Sequence, residues 1–330
     1  MTMTMKTTMA IVMGAAVLCG AGQAEAAAPK LVRAFDPAQG ELPESITADW
    51  AGNLYMSMGP VVKKLKPGGQ FTTLATPPVP AGTFMLGLKF GADGWLYAGS
   101  GSFAPAPAAA FVWRIHPVTG HTTQYAALDP SGFPNDLAFD ERGDLYVTDP
   151  FLGLIWKIDD DGEAEVWLAD PSLEGDPVSP FLPFHSFGVD GIAFDRWKRN
   201  LYVGNLDFGT IVRIPVDCHG EPGEPEVWVD DYEALAGADG IAFDADGDLY
   251  VAVNGQDRLV RIDDDGDVTV LAEGGLLDAP SSLVFGPTLL TMKKLYVTSF
   301  AINRYLGVHP GPPQPALSWL AVPDRGLALP

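Results

Sequence analysis

The chain has 330 residues, 47% of them hydrophobic, and 20 lysines and arginines stand against 42 aspartates and glutamates, for a formal net charge of −22. So acidic a surface repels nucleic acid and anionic lipid, and with 2 cysteines in the whole chain a cysteine-rich zinc site is excluded. The length suits one large core, since all-β folds of this size are commonly a single domain.

The first element is an export signal. Lys6 precedes an apolar run from Ala10 to Gly22, and the small-residue segment Ala24-Glu25-Ala26 follows, the layout of a cleavable signal peptide over residues 1–26. The run falls short of the roughly 20 apolar residues that a membrane-spanning helix needs. The competing reading is a lipoprotein anchor at Cys19, but Leu18 occupies the place where a small residue is expected. The mature chain is therefore expected to begin near Ala27, to be secreted or periplasmic and free of the membrane, and to form one domain over residues 27–330. Cleavage removes one cation, Lys6, and one anion, Glu25, so the charge does not change. Cys218 is then the sole cysteine, and an intramolecular disulfide is ruled out.

Beyond the signal the chain reads as short β-branched and aromatic runs broken by Gly, Asp and Pro. The dipeptide Leu-Tyr recurs at Leu54-Tyr55, Leu96-Tyr97, Leu145-Tyr146, Leu201-Tyr202, Leu249-Tyr250 and Leu295-Tyr296, with the tyrosines 42, 49, 56, 48 and 46 residues apart. A loose period of this size predicts four-stranded blades, here six of them, arranged as a β-propeller around a central channel. In each copy a short strand such as Gly240 to Phe243 precedes a turn such as Asp244 to Gly247, and the Leu-Tyr strand follows. Third strands run over Ile155–Ile158, Ile211–Ile214 and Leu259–Ile262, with fourth strands over Glu165–Leu168 and Val268–Leu271. Leu31 to Phe35 lies outside the first copy and is expected to pair with the last blade. That closure leaves no open sheet edge to aggregate.

The first strand of each blade lines the channel, so equivalent positions in it converge on the axis. Two residues before the repeated Ile or Leu stand Glu44, Leu86, Asn135, Asp190, Asp239 and Ser281. Four of these six are strong oxygen donors. Carboxylates crowded into one channel repel, and their unpaired burial is costly. A divalent cation held by Glu44, Asn135, Asp190 and Asp239 resolves both problems. Oxygen donors without thiolate or histidine suit Ca²⁺ above all, with Zn²⁺, Mn²⁺ and Mg²⁺ as alternatives. The bland alternative is that the aspartates cap turns. Counting back from a pairing of Phe139 with Leu145 sets Asn135 opposite Asp149, Asp190 opposite Asn205 and Glu44 opposite Met58. Asp149 and Asn205 are thus candidates to support the site or touch substrate, or simply to turn the chain.

The segments Pro43-Glu44-Ser45, Pro134-Asn135-Asp136, Val189 to Phe194 (VDGIAF) and Ala238 to Phe243 (ADGIAF) resemble the senescence marker protein, gluconolactonase and luciferin-regenerating enzyme family of six-bladed propellers. The likeness spans residues 31 to 308. It implies that Glu44, Asn135 and Asp239 are metal-site positions and that Asp239 is the catalytic base or nucleophile. Asp190 departs from the family's pattern, where Asn is usual. The added carboxylate is expected to tighten cation binding and to reduce the ion's Lewis acidity. Strictosidine synthase-like and NHL-repeat propellers share the blade signature without this donor set.

The function expected from these residues is metal-dependent hydrolysis of a small-molecule lactone or related ester by a monomer. Asp239 activates water or attacks directly, Asn135 binds the metal or the carbonyl oxygen, and His185 is a candidate proton shuttle. The connectors Ala104–Ala110 and Pro171–Val189 are expected to roof the pocket. The alternative is a non-enzymatic binding propeller with a structural calcium ion and a recognition surface of Phe151, Phe184, Phe187 and Phe208. There is no Gly-x-Ser-x-Gly, phosphate-binding glycine loop or His-Glu-x-x-His. The runs Asp159–Gly162 and Asp263–Gly266 lack the EF-hand's first and twelfth ligands and read as hairpin turns.

Overall fold

The structure is a computed structural model that describes residues 28–103, 110–181 and 185–329. The expected signal peptide lies outside these residues. Six four-stranded antiparallel sheets form the blades of a β-propeller. Among the described residues the only α-helices are two single turns, Tyr232–Leu235 and Ile302–Tyr305, and no helix is long and apolar enough to cross a membrane.

The innermost strands, in chain order, are Pro43–Ala48, Phe84–Phe90, Leu137–Phe139, Val189–Phe194, Ala238–Phe243 and Pro280–Phe285. Each opens a four-stranded meander except the last. There Lys294–Ser299 and Ala316–Ala321 are followed by the N-terminal strand Lys30–Ala34, which pairs antiparallel with Ala316–Ala321. The ring is closed as expected by joining the two ends of the chain in one sheet. Fourth strands are present in every blade, including Phe71–Ala75, Thr122–Ala127 and Glu226–Asp230, which the sequence pattern had not marked.

The Leu-Tyr repeat has a packing cause. Its leucines are buried, and its tyrosine stands edge-on against the phenylalanine that ends the next blade's inner strand: Tyr55 on Phe90, Tyr97 on Phe139, Tyr146 on Phe194, Tyr202 on Phe243 and Tyr250 on Phe285, with centroids 4.9–5.3 Å apart. Such pairs add to the free energy of area burial. The tyrosine hydroxyl also reaches back to the turn before it. Tyr55 donates to Asp49 Oδ2 at 2.8 Å and Tyr97 to Asp93 Oδ2 at 2.9 Å, while the other carboxylate oxygen accepts turn N–H groups.

The inner strands carry a bulge just before the repeated Ile or Leu. Ile192 pairs with Val203, but three residues earlier Val189 pairs with Asn205, only two positions on; Pro43/Met58 and Ala238/Val253 repeat the pattern. The residue just before the repeated Ile or Leu is Ser45, Gly87, Asp136, Gly191, Gly240 or Ser282; in the last blade Ser282 pairs with Thr298 and the shift falls at Ser281. Glycine is required where neighbouring blades touch: a Cβ on Gly191 would lie 2.0 Å from the Asp239 carbonyl oxygen, and one on Gly87 2.3 Å from that of Asn135. Where the residue is not glycine its side chain ties blade to blade. Leu88 N–H donates to Ser45 Oγ at 3.1 Å, and Ile192 N–H to Asp136 Oδ2 at 3.3 Å.

Candidate active site at the upper mouth of the channel

The bulge re-aims the inner strands at the mouth where they begin, as bulges beside functional sites commonly do. Glu44, Asn135, Asp190 and Asp239 are all buried there, on four different blades. Asn135 donates its amide N–H to Asp190 Oδ1. Ser57 Oγ donates to Glu44 Oε2 at 3.1 Å, and Asn254 Nδ2 donates to Asp239 Oδ2 at 3.1 Å. Asp190 Oδ2 is buried without a hydrogen-bond partner. Among the described residues no lysine or arginine pairs with Glu44, Asp190 or Asp239; Arg304, the cation beyond Asn303, is spent on Asp257 and Asp278.

The electrostatic consequence is a set of carboxyls that hold protons above the usual range. Burial pushes Glu44, Asp190 and Asp239 well up, and mutual repulsion adds to it: Asp190 acts on Glu44 and Asp239, and Asp136 acts on all three. Asp136 is itself raised by burial, with Lys89 pulling it back. The donor chemistry of these side chains suits a hard divalent cation, and the orphaned Asp190 oxygen is the kind of group such an ion satisfies. Among the described residues, no three His, Cys, Asp or Glu side chains stand close enough together to hold a metal ion.

Asp149 and Asn205 do not fall where simple counting set them. The extra bulge residue shifts the register, so that Asn205 pairs with Val189 rather than Asp190, and Met58 with Pro43 rather than Glu44. Both side chains are occupied, Asn205 by loop backbone and Asp149 by loop backbone and an indole. Asp149 accepts from the N–H groups of Phe133 at 2.8 Å and Leu152 at 3.3 Å and from the Trp156 indole at 3.2 Å. Asn205 donates to the carbonyls of Ser172 at 3.1 Å and Glu174 at 2.8 Å, which fastens the start of the connector Pro171–Val189.

His185 is exposed and lies flat on Phe151, centroids 4.2 Å apart and planes 9° off parallel. Phe151 stacks in turn on Phe133 at 4.7 Å, and Phe187, Leu86 and Leu206 complete an apolar wall beside the carboxylates. Of the expected roof, residues 104–109 and Phe184 lie outside the described residues. Phe208 is exposed.

Two supports escaped the sequence reading. Asn303 Nδ2 donates to Asn254 Oδ1 at 3.1 Å, and Asn254 passes this order on to Asp239. Two residues after each repeat tyrosine runs a column of small side chains in which Ser57, Thr148 and Thr298 point hydroxyls at the site strands: Ser57 at the Glu44 carboxylate, Thr148 at the Asp190 carbonyl and Thr298 at the Glu44 carbonyl. That column has the same period as the tyrosines and was available as a signal.

Six four-stranded sheets closed into a ring define the class: a six-bladed β-propeller rather than an open or filamentous β-fold. The chain belongs to the SMP-30/gluconolactonase/LRE-like family, whose model matches residues 42–301. Among solved structures it is similar to a calcium-binding protein, regucalcin, from Agrobacterium tumefaciens at 20% identity, covering 92% of this chain and 97% of that one with a TM-score of 0.67. A luciferin-regenerating enzyme matches at 15% identity over 92% and 98%, TM-score 0.65. A gluconolactonase from Xanthomonas campestris matches at 16% identity over 89% and 95%, TM-score 0.60. No curated protein sequence matches the chain.

Proposed function

We propose that this protein is an exported hydrolase that opens a lactone or related ester at the upper mouth of the channel, with Glu44, Asn135, Asp190 and Asp239 holding a divalent cation, calcium before others. The observation that carries this reading is the burial of three carboxylates from three blades without a paired lysine or arginine among the described residues. The family membership and a gluconolactonase among the similar structures support it.

A cation bound there supplies charge to polarise the substrate carbonyl. The chain's own residues do the rest. Asp239, oriented by Asn254, takes a proton from the attacking water as the new C–O bond forms at the carbonyl carbon. The ester C–O bond then breaks, and the same proton is returned to the departing alkoxide. Burial and neighbouring carboxylates raise the proton affinity of Asp239, which suits a base that must accept a proton and give it back. The wall of Phe133, Phe151 and Phe187 favours a substrate with an apolar or aromatic body over a bare polyol. Export follows the Ala24-Glu25-Ala26 site, so that the mature chain starts near Ala27.

The test is turnover of a panel of lactones and aryl esters by calcium-loaded mature protein. Hydrolysis abolished by a chelator and restored by calcium is the expected result. A panel without turnover under these conditions refutes the enzyme and favours a binding propeller.

A further inference from the structure

The channel's lower mouth has a different chemistry. One residue beyond the repeated Ile or Leu stand Thr47, Lys89, Ala138, Ala193, Ala242 and Val284, and all six line a cavity of about 500 Å³. Phe90, Phe139, Phe194, Phe243 and Phe285 form its side walls, and the C-terminal segment Leu327–Leu329 lies along it. That segment is docked on the blades: Ala245 N–H donates to the Arg325 carbonyl at 2.8 Å, and a Cβ on Gly326 would lie 2.3 Å from Phe285.

Two lysines enter this apolar space. Lys198 is held by a backbone in the left-handed region, φ 53°, which a side chain of this kind seldom adopts without cause. Its ammonium donates to the Phe139 carbonyl at 2.9 Å and sits 4.9 Å from the Phe194 ring centroid. Burial and then the nearby Lys89 lower it to about 8, while Asp140, Asp195 and Glu141 pull the other way. The Lys89 ammonium makes no hydrogen bond or ion pair among the described residues; Asp136 attracts it from within the channel. Of the acids on the cavity's rim, Asp140 is already engaged by Arg142 at 2.8 Å.

In a chain of net charge −22, two lysines placed near each other in a phenylalanine-lined cavity call for an anion with a greasy body. We propose that the lower mouth is a binding site for an amphipathic monocarboxylate, its head group between Lys89 and Lys198 and its apolar body along the alanine floor, the phenylalanines and Leu327–Leu329. The cavity's volume is in the range of small-molecule pockets, about 300–1,000 Å³. The site stands apart from the carboxylate mouth and does not depend on the hydrolase reading.

Calorimetric titration of the mature chain with octanoate and with octanamide, matched in length but neutral, tests this. Octanoate is expected to bind about tenfold more tightly, the scale of one charged hydrogen bond. Lys89→Met should erase that preference and leave octanamide unchanged, with Lys89→Gln as the second variant should the first fail to fold. Methyl NMR places the ligand: shifts at Leu327 and Leu329, not at Leu86 or Leu206, are expected. Absence of octanoate binding at millimolar concentration, equal affinity for the two probes, a preference that survives in Lys89→Met, or shifts confined to the upper mouth each overturn the proposal.

Discussion

Asp239 and Asp244 lie five residues apart at the two ends of one inner strand, and their surroundings are opposite. Asp244 Oδ1 accepts from the N–H groups of Asp246, Gly247 and Asp248 at 3.0, 2.9 and 3.0 Å, the arrangement of a carboxylate that builds a turn. Asp239 accepts one neutral amide and faces Asp190 and Glu44, which push its proton affinity up. The same contrast holds for whole rings. Equivalent turn aspartates such as Asp49 and Asp195 each accept two N–H groups of their own hairpin, whereas Asp190 accepts none from a turn; Oδ2 of Asp190 and Oδ2 of Asp244 are both buried without a partner, so the difference lies in the turn N–H groups and the neighbouring carboxylates. The turn N–H groups account for one oxygen of each carboxylate in the lower set. The upper set raises the energy of the folded chain unless protons or a cation are bound, and such retained strain supports the proposal that this mouth is a site.

The sharpest way to break this comparison is to neutralise each aspartate. Asp239→Asn keeps size and an oxygen but cannot accept a proton or attack, so lactone turnover should fall by a factor on the order of 10² or more. Asp244→Asn weakens a turn and is expected to cost about 1 kcal/mol of stability with turnover nearly intact. Initial rates and melting curves of both variants read the difference. Turnover retained in both removes Asp239 from the chemistry.

The next largest effect is on stability against pH. Glu44, Asp190 and Asp239 titrate near about 4 in the unfolded chain, and burial and repulsion move all three upward in the fold. The folded state therefore binds more protons than the unfolded one above that pH, and the stability these groups allow is lost as pH rises through their folded values. With a chelator present, the melting temperature should fall as the pH is raised from about 4 toward neutrality, and Asp190→Asn should flatten the decline. Calcium at about 100 times its dissociation constant should add about 2.7 kcal/mol and reverse the loss. A chelated protein whose melting temperature rises over that interval, or is indifferent to calcium, places the three carboxylates outside any shared site.

The unequal legibility of these parts has physical reasons. The Leu-Tyr period revealed the six blades because each tyrosine repeats one packing task, the contact with the next blade's phenylalanine. Ring closure was legible because Leu31 to Phe35 had no blade of its own. Glu44, Asp190 and Asp239 keep equivalent places in their strands because the same register shift recurs beside each of them. Asp149 and Asn205 were not placed by counting, because their predicted partners were counted across that bulge, and a backbone insertion of one residue leaves no mark in composition. Asn303 acts through Asn254 from a one-turn helix after the last inner hairpin, a contact that only the closed ring creates. The meeting of Lys89 and Lys198 likewise joins blades two apart, with no shared motif to announce it.

The smallest effect tests whether the turn aspartates are structural in the sense drawn here. Tyr55 is fully buried and donates its hydroxyl to Asp49 Oδ2 at 2.8 Å, while Asp49 Oδ1 takes the N–H groups of Ala51 at 3.0 Å and Asn53 at 2.9 Å. Tyr55→Phe keeps the ring against Phe90 and removes only the hydroxyl. Asn53 Nδ2 still donates to the same Asp49 oxygen, so the carboxylate is not stranded and the loss is limited to about 1 kcal/mol, the net worth of one hydrogen bond. Turnover and calcium affinity should stay at wild-type values, because the change lies at the far end of the inner strand from Glu44. A melting temperature lowered by a few degrees with unchanged kinetics supports the division between lower aspartates that build turns and upper carboxylates that do not. A loss of calcium affinity in Tyr55→Phe would instead show that the two ends of the strand are coupled, and the upper carboxylates would then owe their positions to the turn chemistry below them.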